Sequence, residues 1–133
     1  MKDIPDAAEL IATARQALLD ELLPHLNKDQ RYAGLMIANA MAIALREQRA
    51  GADAARGESA RIAALLGDAS SSGTARDEDA LASQRRALRS AIRAGSFDDA
   101  ARTAALIAHL LRTAADWVAI SNPKALRADA AAS

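Results

Sequence analysis

Arg31–Gln48, RYAGLMIANAMAIALREQ, decides the fold. Its apolar residues fall on nearly every side of a helix, with one amide, Asn39, in the middle. A helix of that kind has to be covered by others. Its longest apolar run, Ala33 to Leu45, is shorter than the roughly 20 residues needed to cross a bilayer, and Asn39 interrupts it. The stretch reads as a core helix, and no membrane span is expected.

Upstream, Asp3 fits an N-cap with Pro5 in the first turn, where its missing N–H costs nothing. Ala7, Leu10, Ile11, Ala14, Leu18 and Leu22 then repeat at three and four up to Pro24, giving an amphipathic surface helix. Asn27 and Gln30 have the spacing of a capping box, so a short turn joins two antiparallel helices. Downstream, Gly51 is placed as a left-handed cap of the second helix, and a third helix is expected over Asp53 to Leu66, ended by Gly67. Gly67 to Thr74 reads as a flexible loop. A fourth helix opens on Asp77, Glu78 and Asp79, carries Arg85, Arg86, Arg89 and Arg93 in its later turns, and closes at Gly95. That polarity suits the helix dipole.

The last helix is expected to start at a Ser96 cap and to end at Ser121, Asn122 and Pro123. Its apolar face is Leu106, Ile107, Leu110, Leu111, Ala114, Trp117 and Val118, which should pack on the second helix through Trp117. The fold class is all-α: an antiparallel bundle of four to five helices forming one domain over residues 1–123, with 124–133 an alanine-rich tail expected to be disordered.

Composition narrows the chemistry. Seventeen basic and seventeen acidic residues cancel, leaving no global field to attract nucleic acid or an anionic membrane. There is no cysteine, and the start MKDIPDAAEL lacks the basic and apolar regions of an export signal, so a cytoplasmic location is expected. His25 lies in the turn after Pro24, and the two histidines lack the repeated Glu-x-x-His spacing of a di-metal bundle. No metal or cofactor is expected. His109 and Asp116 share a helix face but sit about 10 Å apart, and they read as solvated surface on the flank of the apolar stripe. Arg85, Arg89 and Arg93 form a basic face without neighbouring aromatics, better read as solvated than as a phosphate dock.

The best site candidate is the line Tyr32, Asn39 and Arg46, spaced by seven on the second helix. It is either a groove for a ligand or partner, or a satisfied amide between two snorkelling ends. An amide in an apolar layer can also fix register or oligomeric state. Asp3 and Glu21 are read as structural polar residues, with Arg46 level with Asp3 and Asp6, and Glu21 beside Arg31 and Tyr32. Asn122 is read as structural at the end of the last helix.

The segments DIPDAAEL, ELLP at Glu21 to Pro24, IANAMAIALRE in the second helix and AISNPKAL from Ala119 resemble an uncharacterised bacterial family, domain-of-unknown-function family 6285. The resemblance implies small helical proteins associated with aminoglycoside-phosphotransferase-like proteins and acyl-CoA dehydrogenases, and hence an accessory role beside such an enzyme. It covers Asp3, Pro5, Glu9, Glu21, Pro24, Asn39, Arg46, Glu47, Asn122 and Pro123, and implies no catalytic residue among them. The stretch NKDQRYA, between Leu26 and Gly34, departs from the more basic and aromatic stretch usual in the family.

The sequence therefore supports a non-catalytic interaction protein, expected to be a homodimer because one face of the second helix is left for a second copy. The alternative is a binder of a carboxylate or phosphate ligand, or a minor enzyme, working through the polar line. A buried arginine beside an open pocket would favour that alternative, and a filled, dry interior would sink it.

Overall fold

The computed structural model describes residues 4–67 and 77–131. The stretch that decides the fold lies at the start of a single helix of 39 residues, Lys28–Leu66 (α2), about 58 Å long at 1.5 Å per residue. The expected break at Gly51 does not occur. A glycine inside a helix costs only about 1 kcal/mol relative to alanine, no proline follows, and the alanine-rich flanks carry the hydrogen-bond ladder through it. Gly67, with φ of 72°, is the left-handed cap. At the other end Asn27 and Gln30 form the reciprocal capping box, Asn27 Oδ1 accepting from the Gln30 N–H at 2.9 Å.

The first helix, α1, is Ala7–Ala17, and its cap is Asp6, which exchanges hydrogen bonds with Glu9. The cap expected at Asp3 is thus displaced by a better box three residues on, and Asp3 itself lies outside the described residues. The chain continues through a π-turn, Leu18–Leu22, and a 3-10 turn, Leu23–His25, before reversing into α2. Gly34 is buried at this reversal, where a Cβ would stand 2.8 Å from Leu23 Cδ1 and 3.2 Å from Leu26 Cδ1. Glycine lets the turn lie flat on α2.

Three further helices follow: α3, Asp77–Arg93; α4, Ala100–Ser121; and α5, Pro123–Ala131. α4 is capped by Asp99, not Ser96, and Gly95 takes a φ of 82° in the turn before it. The tail expected to be disordered from Lys124 is helical over α5. Its Pro123 stands at the first helical position, where the ring is preorganised. Asn122 separates α4 from α5, its N–H bonded to the Val118 carbonyl at 2.8 Å and its own carbonyl accepting from Ala125 at 3.1 Å.

α2 is the axis of the molecule. α1 packs on its first half, α3 and α4 pack on its second half, and α5 packs on α4 alone among the described elements. The core sits in the second half, where Ile62, Leu81, Leu88 and Phe97 are buried, with Leu106 packed against them. No strand occurs among the described residues.

Two amphipathic faces lie differently from their hydrophobic pattern. Of the expected first stripe, Leu10 in α1 and Leu22 in the π-turn are exposed, while Arg15 of α1 turns inward and donates to the Ala38 carbonyl at 3.0 Å. In α4, Leu106, His109, Thr113, Asp116 and Ile120, spaced by three and four, face α2. Of the expected packing face, Leu106 joins this inward row and Val118 is half-buried, but the rest turns outward: Trp117 and Leu111 are each 66% exposed, and Ile107 and Leu110 are half exposed. α4 is also the one described helix long and apolar enough, by length and composition, to cross a bilayer, although its row from His109 to Asp116 packs on protein.

Candidate functional site

One row of α2 connects every candidate residue. Tyr32, Met36, Asn39, Ile43, Arg46, Ala50, Ala54, Gly57 and Arg61 follow each other at steps of three and four, with Asp53 at their edge, so they share one side of the helix. Over the first half that side points away from α1, and nothing among the described residues covers it: Tyr32 is 69% exposed, and Leu35, Met36 and Asn39 are exposed as well. Over the second half α4 lies across it. The line Tyr32, Asn39 and Arg46 is therefore split, with two residues on an open face and the third beneath the end of α4.

Arg46 is half-buried and donates through Nε to the Ile120 carbonyl at 2.6 Å. It satisfies an orphan carbonyl in the last turn of α4 and sets a positive charge at the negative pole of that helix. Arg46 makes no ion pair with Asp6, its Nε being taken up by the Ile120 carbonyl, and Asp3 lies outside the described residues. Glu21 is exposed on the π-turn and makes no ion pair among the described residues.

Beyond Arg46 the α2 row and α4 enclose a groove of about 390 Å³. Its charged lining is Arg46, Arg49 and Arg61 with Asp53 from α2, and Arg112 with Asp116 from α4. Ala50, Ala54 and Gly57 keep the floor low. Gly57 leaves room for the Arg61 guanidinium, since a Cβ there would meet Arg61 Nη1 at 3.2 Å. Asp116 is shared: Arg112 Nε lies 3.0 Å from Oδ1, and Arg61 Nη2 lies 3.6 Å from Oδ2. Asp53 pairs with Arg56.

Arg61 links this groove to a buried polar layer. Its Nη2 donates to Thr113 Oγ1 at 3.2 Å and its Nε approaches His109 Nδ1 at 3.4 Å. His109 is buried, not solvated as its position on the flank of the stripe suggested. Desolvation, and then the charge of Arg61, push its pKa below the usual 6.5, with Glu58 pulling the other way. The neutral ring presents an acceptor to Arg61, as the approach at Nδ1 requires.

Glu58, one helical turn before Ile62, is buried and accepts two hydrogen bonds of 2.7 Å from Arg85 Nε and Nη2 on α3. This planar, two-point pairing lowers the pKa of Glu58 and raises that of Arg85. Arg85 thus leaves the basic face assigned to it with Arg89 and Arg93, both exposed. Sequence reasoning singled out neither Glu58 nor Arg61. The signal available for Arg61 was its place on the row of Asn39 and Arg46.

The arrangement sets several guanidinium donors around one groove. Arg61 lies between His109 and Asp116, so no histidine–carboxylate pair is set up as a base. No group of three or more potential metal ligands occurs among the described residues.

In comparisons with known proteins, the family model described as Domain of unknown function (DUF6285) matches residues 24–125. No curated protein matches, and no solved structure matches.

Proposed function

Since the chain belongs to that family of unknown function, matched over most of its 133 residues, its surface has to supply the functional reading. We propose that it is a non-catalytic interaction protein. The observation that carries this reading is the outward apolar face of α4. Ile107, Leu110, Leu111 and Trp117 form a continuous stripe while histidine, threonine and aspartate face inward. Exposed apolar patches of this kind, anchored by an aromatic residue, are where partner chains bind.

Two occupants are proposed for the two open faces. The α2 face of Tyr32, Met36 and Asn39 belongs to a two-helix hairpin with α1, and two such hairpins related by a two-fold axis complete a four-helix bundle. A second copy is the natural cover there, with Asn39 fixing the register. The α4 face is proposed to meet an enzyme, the association implied by the resemblance making a phosphotransferase-like or acyl-CoA dehydrogenase protein the first to test, in the cytoplasm.

The test combines light scattering with capture of a purified phosphotransferase-like protein and of a purified acyl-CoA dehydrogenase. Trp117→Lys is expected to abolish capture while leaving the dimer and the monomer's stability intact, because the side chain contributes little to the packed interior. Capture unchanged by Trp117→Lys and Leu111→Lys would remove α4 from the proposal. Asn39→Leu is expected to leave the monomer's stability within about 0.5 kcal/mol and to change the dimer's dissociation constant or its copy number. A protein that stays monomeric at high micromolar concentration would refute the dimer.

A further inference from the structure

We infer that the α2–α4 groove binds the phosphate group of a small organic phosphate monoester, with Arg46 and Arg49 as its anchors. This site is independent of the two apolar faces. Four arginines and two aspartates line it. Asp116 answers Arg61 and Arg112, and Asp53 is held by Arg56, which stands outside the lining. Arg46 and Arg49 have no carboxylate partner among the described residues. Two uncompensated positive charges at one end of a groove match the near-dianion of a phosphate monoester better than a single carboxylate.

The geometry prepares the site. The hydrogen bond from Arg46 Nε to the Ile120 carbonyl fixes the guanidinium at the mouth while its two terminal nitrogens remain as donors. Arg49 lies one turn along the same helix and lines the same groove. The volume of about 390 Å³ lies in the range of small-molecule sites. The low floor of alanine and glycine leaves room for an organic body beyond the phosphate. The ion pairs of Asp116 brace the far end, so binding there needs no rearrangement of α4.

The experiment is a nuclear magnetic resonance titration of the full chain with phenyl phosphate and with benzoate, which share a ring and differ in their anionic group. Phenyl phosphate is expected to give saturable shifts at groove residues and to bind at least about tenfold more tightly than benzoate. Arg49→Gln should weaken it about tenfold. Arg86→Gln, on the exposed side of α3, should not weaken it. Arg46→Gln also frees the Ile120 carbonyl, so the exposed Arg49 carries the test. Equal binding of benzoate, equal weakening by Arg86→Gln, or no saturation at millimolar ligand would each overturn the assignment. Trp117→Lys should leave the phosphate affinity unchanged, which separates failure of this site from failure of the interaction surface.

Discussion

Ile62→Ala is expected to lower the free energy of unfolding by about 3–4 kcal/mol and the melting temperature by about 10–15 °C. Ile62 has no exposed surface, and it stands where α2, α3 and the turn before α4 meet, against Leu81, Leu88 and Phe97. The loss combines the transfer energy of the missing methylenes with the cavity they leave. Against a total stability of about 5–15 kcal/mol for a domain, it removes a large part. Leu111→Ala provides the contrast: the same class of truncation on the outward face of α4 should cost no more than about 0.5 kcal/mol. Chemical denaturation of both variants decides it. Equal costs would mean that the interior has been placed on the wrong side of α4.

That contrast marks how far the sequence could be read. The helices themselves were legible, because the signals are local: the Asn27–Gln30 box, Gly67 as a left-handed cap and the turn at Gly95 all stand where the spacing put them. The all-α class followed from periodicity. Gly51 misled because the cost of one helical glycine is smaller than the gain from keeping a long helix against two partners. The orientation of α4 was not legible. Its two rows, Leu106–His109–Thr113–Asp116–Ile120 and Ile107–Leu110–Ala114–Trp117, have the same spacing, and hydrophobicity favours the second as the buried one. The first faces inward instead, because Arg61 on α2 supplies charged donors that His109, Thr113 and Asp116 accept and a row of leucines could not.

The candidate site shows the same division. Arg46 was found from its heptad relation to Asn39 and Tyr32; Arg61 lies off that strict spacing of seven but on the same broad side of the helix. What could not be read was where the cover along α2 changes. The row is apolar and open beside α1, then charged and roofed by α4, and the change falls where α4 ends at Ser121. One helix face therefore presents two different surfaces, one suited to association and one to an anion, with Arg46 at their junction.

Removing Arg85 while keeping Glu58 should destabilise the protein by about 2–3 kcal/mol near neutral pH, and the deficit should shrink as the pH falls. Glu58 is buried, whereas half of the Arg85 side chain reaches water, which places the cost below that of a fully buried pair. In the native protein the hydrogen bonds from Arg85 hold the Glu58 carboxyl below its ordinary pKa of 4.5. A lowered folded pKa means that the unfolded chain binds more protons, so this contribution is present above about 4.5 and is lost as the pH falls below it. His109, lowered from 6.5 chiefly by burial, acts in the same direction at a higher pH. The native protein should therefore weaken in acid in two stages. In Arg85→Met the largest lowering influence on Glu58 is gone and burial dominates, so its pKa rises and protonation relieves an unpaired buried charge. The two unfolding curves should accordingly be furthest apart at about pH 7.5 and converge towards about pH 4.5. Denaturation midpoints at both pH values measure this directly. A deficit that stays constant with pH would show that Arg85 holds α3 to α2 by its packed stem, and that the charge of Glu58 is carried by other groups.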